Sequence, residues 1–187
     1  MNPSRTIIFL DIDGVLQPHS SQQRFRNDLV ALRERLAAHH DNEEYLTMDR
    51  HDLGAAYYDW DQQAIERLRK LCVDIPAEIV ISSDWRTYSP LSRLKDYFRI
   101  HDLDQHITGE LAETRGKTRC DEVTVYLRNH PEIQRFVILD DAHVHDFETH
   151  YPEHFVYCPG IFDDACYERA RSILTADGSA TPNGSTI

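Results

Sequence analysis

The chain has 187 residues and carries 20 Lys and Arg against 32 Asp and Glu, a formal charge of −12. Domains cluster at roughly 100–150 residues, so this length predicts one core with an insertion in place of two ordinary domains. Affinity for a polynucleotide comes mostly from basic groups that neutralise phosphates, so the acidic balance argues against a polynucleotide bound along an extended surface and favours a small phosphorylated substrate.

Cys72, Cys120, Cys158 and Cys166 form no CxxC pair and read as reduced, mostly buried thiols, with neither a zinc knuckle nor a compact disulfide framework. The amino terminus lacks a basic region ahead of a long apolar stretch. No segment approaches the roughly 20 apolar residues of a membrane span. A cytoplasmic protein without a membrane partner is expected.

Residues 6–10 read as a first buried strand, short and rich in large aliphatics, that runs directly into Asp11-Ile12-Asp13-Gly14-Val15. Side chains alternate along a strand, so Asp11 and Asp13 share one side where the segment stays extended or curls tightly, and Gly14 permits the curl. Across residues 17–60 the pattern loosens: Leu29, Leu32 and Leu36 recur at helical spacing, then come a polar stretch and the aromatics Tyr57, Tyr58 and Trp60. This predicts an insertion over the strand end, a small flap. Asp61 caps a helix with the apolar face Ile65, Leu68 and Leu71.

A second strand over residues 78–82 ends in Ser82-Ser83-Asp84-Trp85-Arg86, and Ser89-Pro90 starts a helix with Pro at its first position. A short third strand falls near residues 106–108 and a helix over about 119–128. A fourth strand at 136–139 runs into Asp140-Asp141, a fifth covers 155–157, and Asp163 or Asp164 opens a last helix through 174. His143 and His145, at i, i+2 without a third spaced ligand, read as loop residues, and residues 176–187 as a disordered tail that follows a single domain over 1–175. Apolar strands that alternate with amphipathic helices imply an α/β fold, a three-layer Rossmann-like parallel sheet with helices on both faces. Parallel strands deliver Asp11/Asp13, Ser82/Ser83 and Asp140/Asp141 to the same rim.

These residues resemble the haloacid dehalogenase superfamily of phosphohydrolases. Its motifs are a strand ending in DxD, a strand ending in Ser or Thr, a Lys or Arg, and a strand ending in an acidic pair. The resemblance spans about residues 7–146 and implies that Asp11 is the nucleophile that becomes an aspartyl-phosphate. It also makes Asp13 the general acid and then the base. It implies Mg²⁺ held by Asp11, the main-chain carbonyl of Asp13 and a fourth-motif acid, Asp141 first and Asp140 second. Ser82, with Ser83 as the near alternative, would bond the transferring phosphoryl. The basic residue is Arg119, four before Val123, or Lys117, six before it.

The run Ser83-Asp84-Trp85-Arg86, with Arg119, Glu122-Val123 and Tyr126-Leu127, looks like a small bacterial subgroup, some of whose members are domains within RNA repair proteins. In that reading Gly14, Ser83 and Arg86 stand on the substrate side, Arg86 gripping a phosphate or bridging a carboxylate, and Trp85 stacks at the rim or plugs the core. The function implied is a Mg²⁺-dependent phosphatase acting on a phosphate monoester. The rivals are a phosphatase for nucleotide or nucleic-acid ends, such as a 3′-phosphate, and a non-catalytic binding or regulatory module. The oligomeric state stays open.

Overall fold

The computed structural model describes residues 5–176, so the expected tail from 177 onward lies outside the described residues. Five parallel strands, β1 (Arg5–Leu10), β2 (Glu78–Ile81), β3 (Ile107–Glu110), β4 (Ile133–Asp140) and β5 (Phe155–Tyr157), form one sheet in the order β3-β2-β1-β4-β5. Eight α-helices accompany it among the described residues: α1 (Leu29–His40), α2 (Glu44–Thr47), α3 (Arg50–Gly54), α4 (Gln62–Asp74), α5 (Leu91–Arg99), α6 (Arg119–Asn129), α7 (Val144–His150) and α8 (Asp164–Thr175). This is the α/β Rossmann-like architecture that the alternation of strands and helices implies.

Ile7, Ile8, Phe9 and Leu10 are all fully buried, which a strand achieves only when helices cover both faces of its sheet. Ile8 and Leu10 join Ile79, Ile81, Val137 and Leu139 in the core under α4, α5 and α8. Ile7, Phe9, Val80 and Ile138 pack the opposite way, with Cys120 and Val123 of α6 and Phe147 of α7. Slipping one strand by one residue would exchange these sets, so burial fixes the register. In that register Leu10 pairs with both Ile81 and Leu139. The residues that follow, Asp11, Ser82 and Asp140, therefore stand in one row across three adjacent strand ends. By alternation all three fall on the α6 side. The strand order reverses between β1 and β4, and ligands of open α/β sheets bind at such a reversal, beyond the carboxyl ends of the strands.

Asp61 caps α4 by accepting from the Ala64 N–H at 2.9 Å. Pro90 is the cap of α5 and not its first helical residue, because its extended backbone leaves its carbonyl to accept from Arg93 and Leu94 at 2.9 and 3.0 Å. Helix α7 covers a stretch read as loop from sequence; Phe147 is its one buried residue, too few apolar positions to show a helical period.

Residues 17–60 pack into the core and are not a free flap. Leu29, Leu32, Leu36, Tyr45, Met48 and Leu53 belong to the same buried cluster as β1. Trp60 stacks on His101, ring centroids 5.4 Å apart, and meets Trp85 edge-on at 5.7 Å, so it anchors the insertion. Asp59, 2 % exposed, closes the segment on itself. Its Oδ1 accepts from the N–H groups of Gln23 and Arg24 and from the Ser21 hydroxyl, and its Oδ2 accepts from Arg24 Nη1 at 2.9 Å. Among the described residues no helix is long and apolar enough to cross a membrane.

Candidate active site

After β1 the chain curls at once. The Ile12 carbonyl accepts from the N–H groups of Val15, Leu16 and Gln17, and the Gly14 N–H donates to the Gln17 carbonyl at 2.8 Å. Gly14 has φ +72°, in the left-handed region, and a Cβ there would overlap the Asp141 carboxylate. Both constraints demand glycine, and the second shows how tightly the first and fourth strand ends abut.

Arg119 is the first residue of α6. A reciprocal cap starts that helix: Thr118 Oγ1 accepts from the Asp121 N–H at 3.2 Å while Asp121 Oδ2 accepts from the Thr118 N–H at 3.0 Å. With the helix start fixed and Cys120 and Val123 in the core, the Arg119 guanidinium enters the row of strand ends. Its Nη1 donates to Asp11 Oδ2 and to Asp140 Oδ2, both at 2.8 Å, and its Nη2 donates to Asp84 Oδ1 at 2.8 Å. Lys117, the alternative basic residue, is exposed in the loop before α6.

One carboxylate oxygen from each of Asp11, Asp140 and Asp141 lies within 4.8 Å of the others. Asp11 Oδ1 also accepts from the Ile12 N–H at 2.8 Å, and Asp140 Oδ1 from the Ala142 N–H at 2.7 Å. Burial and the neighbouring Asp11 charge push Asp140 up to about 7, against the pull of Arg119. Burial would lower the Arg119 pKa, but Asp11 and Asp140 outweigh it and the guanidinium is held more firmly protonated. Asp13 is raised by burial; the Trp85 indole N–H, 3.0 Å from Asp13 Oδ2, opposes that shift and the Asp11 charge adds to it.

Ser82 is fully buried, and its Oγ has no hydrogen-bond partner among the described residues. A buried hydroxyl left unpaired costs roughly 1–3 kcal/mol, so such groups call for an explanation, and here the hydroxyl stands in the Asp11 row. Ser83 Oγ instead faces the Trp85 N–H at 3.5 Å, at the start of the 3₁₀ turn Asp84–Thr87. Of the two roles open to Arg86, a phosphate grip or a bridge to a carboxylate, the structure shows the second. Its side chain is 5 % exposed, its Nη1 donates to the Ser82 and Ser83 carbonyls and its Nη2 to Glu122 Oε2, so it braces the strand end. Glu122 Oε1 in turn accepts from the Thr114 N–H at 2.7 Å, which ties in the β3–α6 loop.

Two members of the arrangement escaped the sequence. His19 Nε2 lies 2.7 Å from Asp141 Oδ2, brought there by the curl at Gly14; only its position a few residues beyond DxDG hinted at it. The Glu122 brace was visible only as a neighbour of Arg119 on α6. A groove of about 830 Å³ opens from Asp84 and Arg119 along the β3–α6 loop, past Thr114, Arg115 and Lys117, with His143 also at its wall.

The parallel α/β sheet and the match of a family model place the chain in the haloacid dehalogenase (HAD) superfamily, which supports a hydrolase of the phosphatase type. More narrowly, the chain belongs to the family described as the HAD domain in Swiss Army Knife RNA repair proteins, whose model matches residues 7–161. No curated protein and no solved structure matches the chain.

Proposed function

We propose that the chain is a Mg²⁺-dependent phosphatase that hydrolyses a phosphate monoester through an aspartyl-phosphate on Asp11. The observation that carries this reading is the row Asp11–Ser82–Asp140 with Arg119 across it, in which a buried hydroxyl is left unpaired and two buried carboxylates share one guanidinium.

An all-oxygen set of close carboxylates with excess negative charge suits a hard divalent cation. Asp11, Asp140 and Asp141, with the Asp13 main-chain carbonyl, would hold Mg²⁺. When bound, the ion supplies the charge neutralisation that lets a carboxylate approach an anionic phosphate. An Asp11 oxygen attacks phosphorus as the bond to the ester oxygen breaks, and Asp13 gives that oxygen its proton, so the product leaves as an alcohol. Asp13, now ionised, takes a proton from water, which attacks the same phosphorus and frees phosphate and the Asp11 carboxylate. Ser82 and Arg119 stabilise the phosphoryl oxygens by donated hydrogen bonds and positive charge.

Asp11→Asn should lower turnover of 4-nitrophenyl phosphate with Mg²⁺ by at least ~10³-fold while the fold persists by circular dichroism. Unchanged turnover in that variant would sink the reading, and no turnover by the wild type across a broad ester panel would favour a non-catalytic module.

A second reading, phosphatase action on a nucleic-acid end, draws on the groove and on the family's description. Arg115 and Lys117 line the groove that opens from Arg119, and in this reading they would meet a phosphodiester next to the scissile phosphate. The double variant Arg115→Ala, Lys117→Ala should raise KM for a 3′-phosphorylated oligonucleotide about tenfold, some 1.4 kcal/mol, and leave KM for 4-nitrophenyl phosphate within about twofold. Equal changes for both substrates would favour the small-molecule reading.

A further inference from the structure

The segment Ser83-Asp84-Trp85-Arg86 contacts Arg119, the end of β2 and Asp13, yet the proposed reaction uses none of its side chains. Asp84 accepts from Arg119, Arg86 braces the carbonyls of Ser82 and Ser83 against Glu122, and Trp85 donates its indole N–H to Asp13 Oδ2 at 3.0 Å. We propose that Trp85 is a positioning residue for Asp13: its N–H fixes which carboxyl oxygen carries the proton and where that proton points, and so sets which leaving groups the enzyme can expel. This inference rests on the reading of Asp13 as general acid.

An indole offers a single hydrogen-bonding group. Its N–H donates and never accepts, so Asp13 Oδ2 presents a lone pair to it; the carbonyl oxygen of a protonated carboxyl is the stronger acceptor, so this bond favours the hydrogen on Oδ1. A carboxyl free to rotate would offer either oxygen. The indole itself is held: Trp85 is buried, meets Tyr97 edge-on at 5.4 Å and Trp60 at 5.7 Å, and lies in a turn that Arg86 clamps to the end of β2. Trp60 provides an internal contrast. It too is buried among aromatic rings, but its Nε1 has no partner among the described residues. Aromatic packing alone therefore does not explain why the ring at position 85 aims its N–H at a carboxylate across 72 positions of sequence.

The consequence falls on leaving-group chemistry. Expulsion of 4-nitrophenolate, a stable anion, needs little help from an acid, whereas expulsion of an alkoxide needs the proton in place. A residue that only supported the fold would affect both esters alike. A residue that positions the acid affects the alkyl ester more.

The test compares kcat/KM for 4-nitrophenyl phosphate and for a simple alkyl phosphate in the full chain with Mg²⁺. Trp85→Phe keeps a large ring and removes the N–H. It should lower alkyl turnover about tenfold more than aryl turnover, and Asp13→Ala should show the same bias more strongly, in line with the ~10²–10⁴-fold worth of general acids. Equal losses in Trp85→Phe alongside a biased loss in Asp13→Ala would overturn the positioning role and leave the general acid standing. No bias in Asp13→Ala would remove both. A readout that does not depend on Trp85→Phe folding comes from the two tryptophans of the chain. In a ¹⁵N-correlated spectrum of Asp13→Ala the Trp85 indole N–H signal should move while that of Trp60 stays; a Trp85 signal that stays put would also overturn the proposal.

Discussion

Two buried clusters of carboxylate and guanidinium serve opposite ends in this molecule. In the 17–60 insertion, Asp59 faces one arginine, and donors from Gln23, Arg24 and Ser21 fill its oxygens. At the strand ends, Arg119 is shared by Asp11 and Asp140, with Asp141 beside them and the Ser82 hydroxyl unpaired. The first cluster is balanced in charge and both Asp59 oxygens are filled, with Arg24 Nε left unpaired among the described residues, and it holds the insertion shut. The second carries more negative than positive charge and an idle donor, an arrangement that costs stability unless positive charge and a hydrogen-bond acceptor complete it. Burial alone does not mark a functional site; incompleteness at a sheet's reversal point does.

The contrast can be broken by mutating both clusters. Asp59→Ala leaves Arg24 without its carboxylate, and removing one partner of a buried pair costs several kcal/mol; because Arg24 retains some contact with solvent, about 3 kcal/mol is expected. For a chain of this length that lowers Tm by roughly 10 °C. The specific activity of the folded fraction should hold, and a loss of activity equal to Asp11→Asn would erase the distinction. The matching change at the strand ends, Asp11→Asn, removes one of two carboxylates that repel each other, so Tm in metal-free buffer should rise by roughly 2–4 °C while turnover disappears. A fall in Tm like that of Asp59→Ala would show the site to be a structural ion pair. Ser82→Ala should raise stability slightly, by about 1 kcal/mol, because it deletes a buried hydroxyl that has no bond to lose. Its kcat should still drop about 10–100-fold. An unchanged kcat would leave the buried hydroxyl without a role.

Much of the fold was legible because its signals are local. The runs at Ile7 to Leu10 and Phe136 to Leu139 announce strands buried on both faces, and the caps Asp61 and Asp163 announce helices. Helix α7 was not legible, since it offers the core one buried side chain. The insertion read as loose because its contacts, such as Tyr45 Oη to the Asp96 carbonyl at 2.8 Å, are made with remote parts of the chain. Arg86 illustrates the limit for the site. Its type suits a phosphate or a carboxylate equally well, and only the position of Glu122, 36 residues away, decides between them.

Local sequence names the participants: two aspartates after a buried strand, a serine after a second, an acidic pair after a third, and the parallel α/β class that sends all three to one rim. Side-chain type and apolar period carry that information residue by residue. Packing in three dimensions sets the rest: Asp11, Ser82 and Asp140 share one register row, Arg119 enters that row while Lys117 stays in the exposed loop, and Trp85 reaches Asp13. Those outcomes depend on distances between groups as far apart in the chain as Asp11 and Asp140, which strand register and helix packing set and no local pattern encodes.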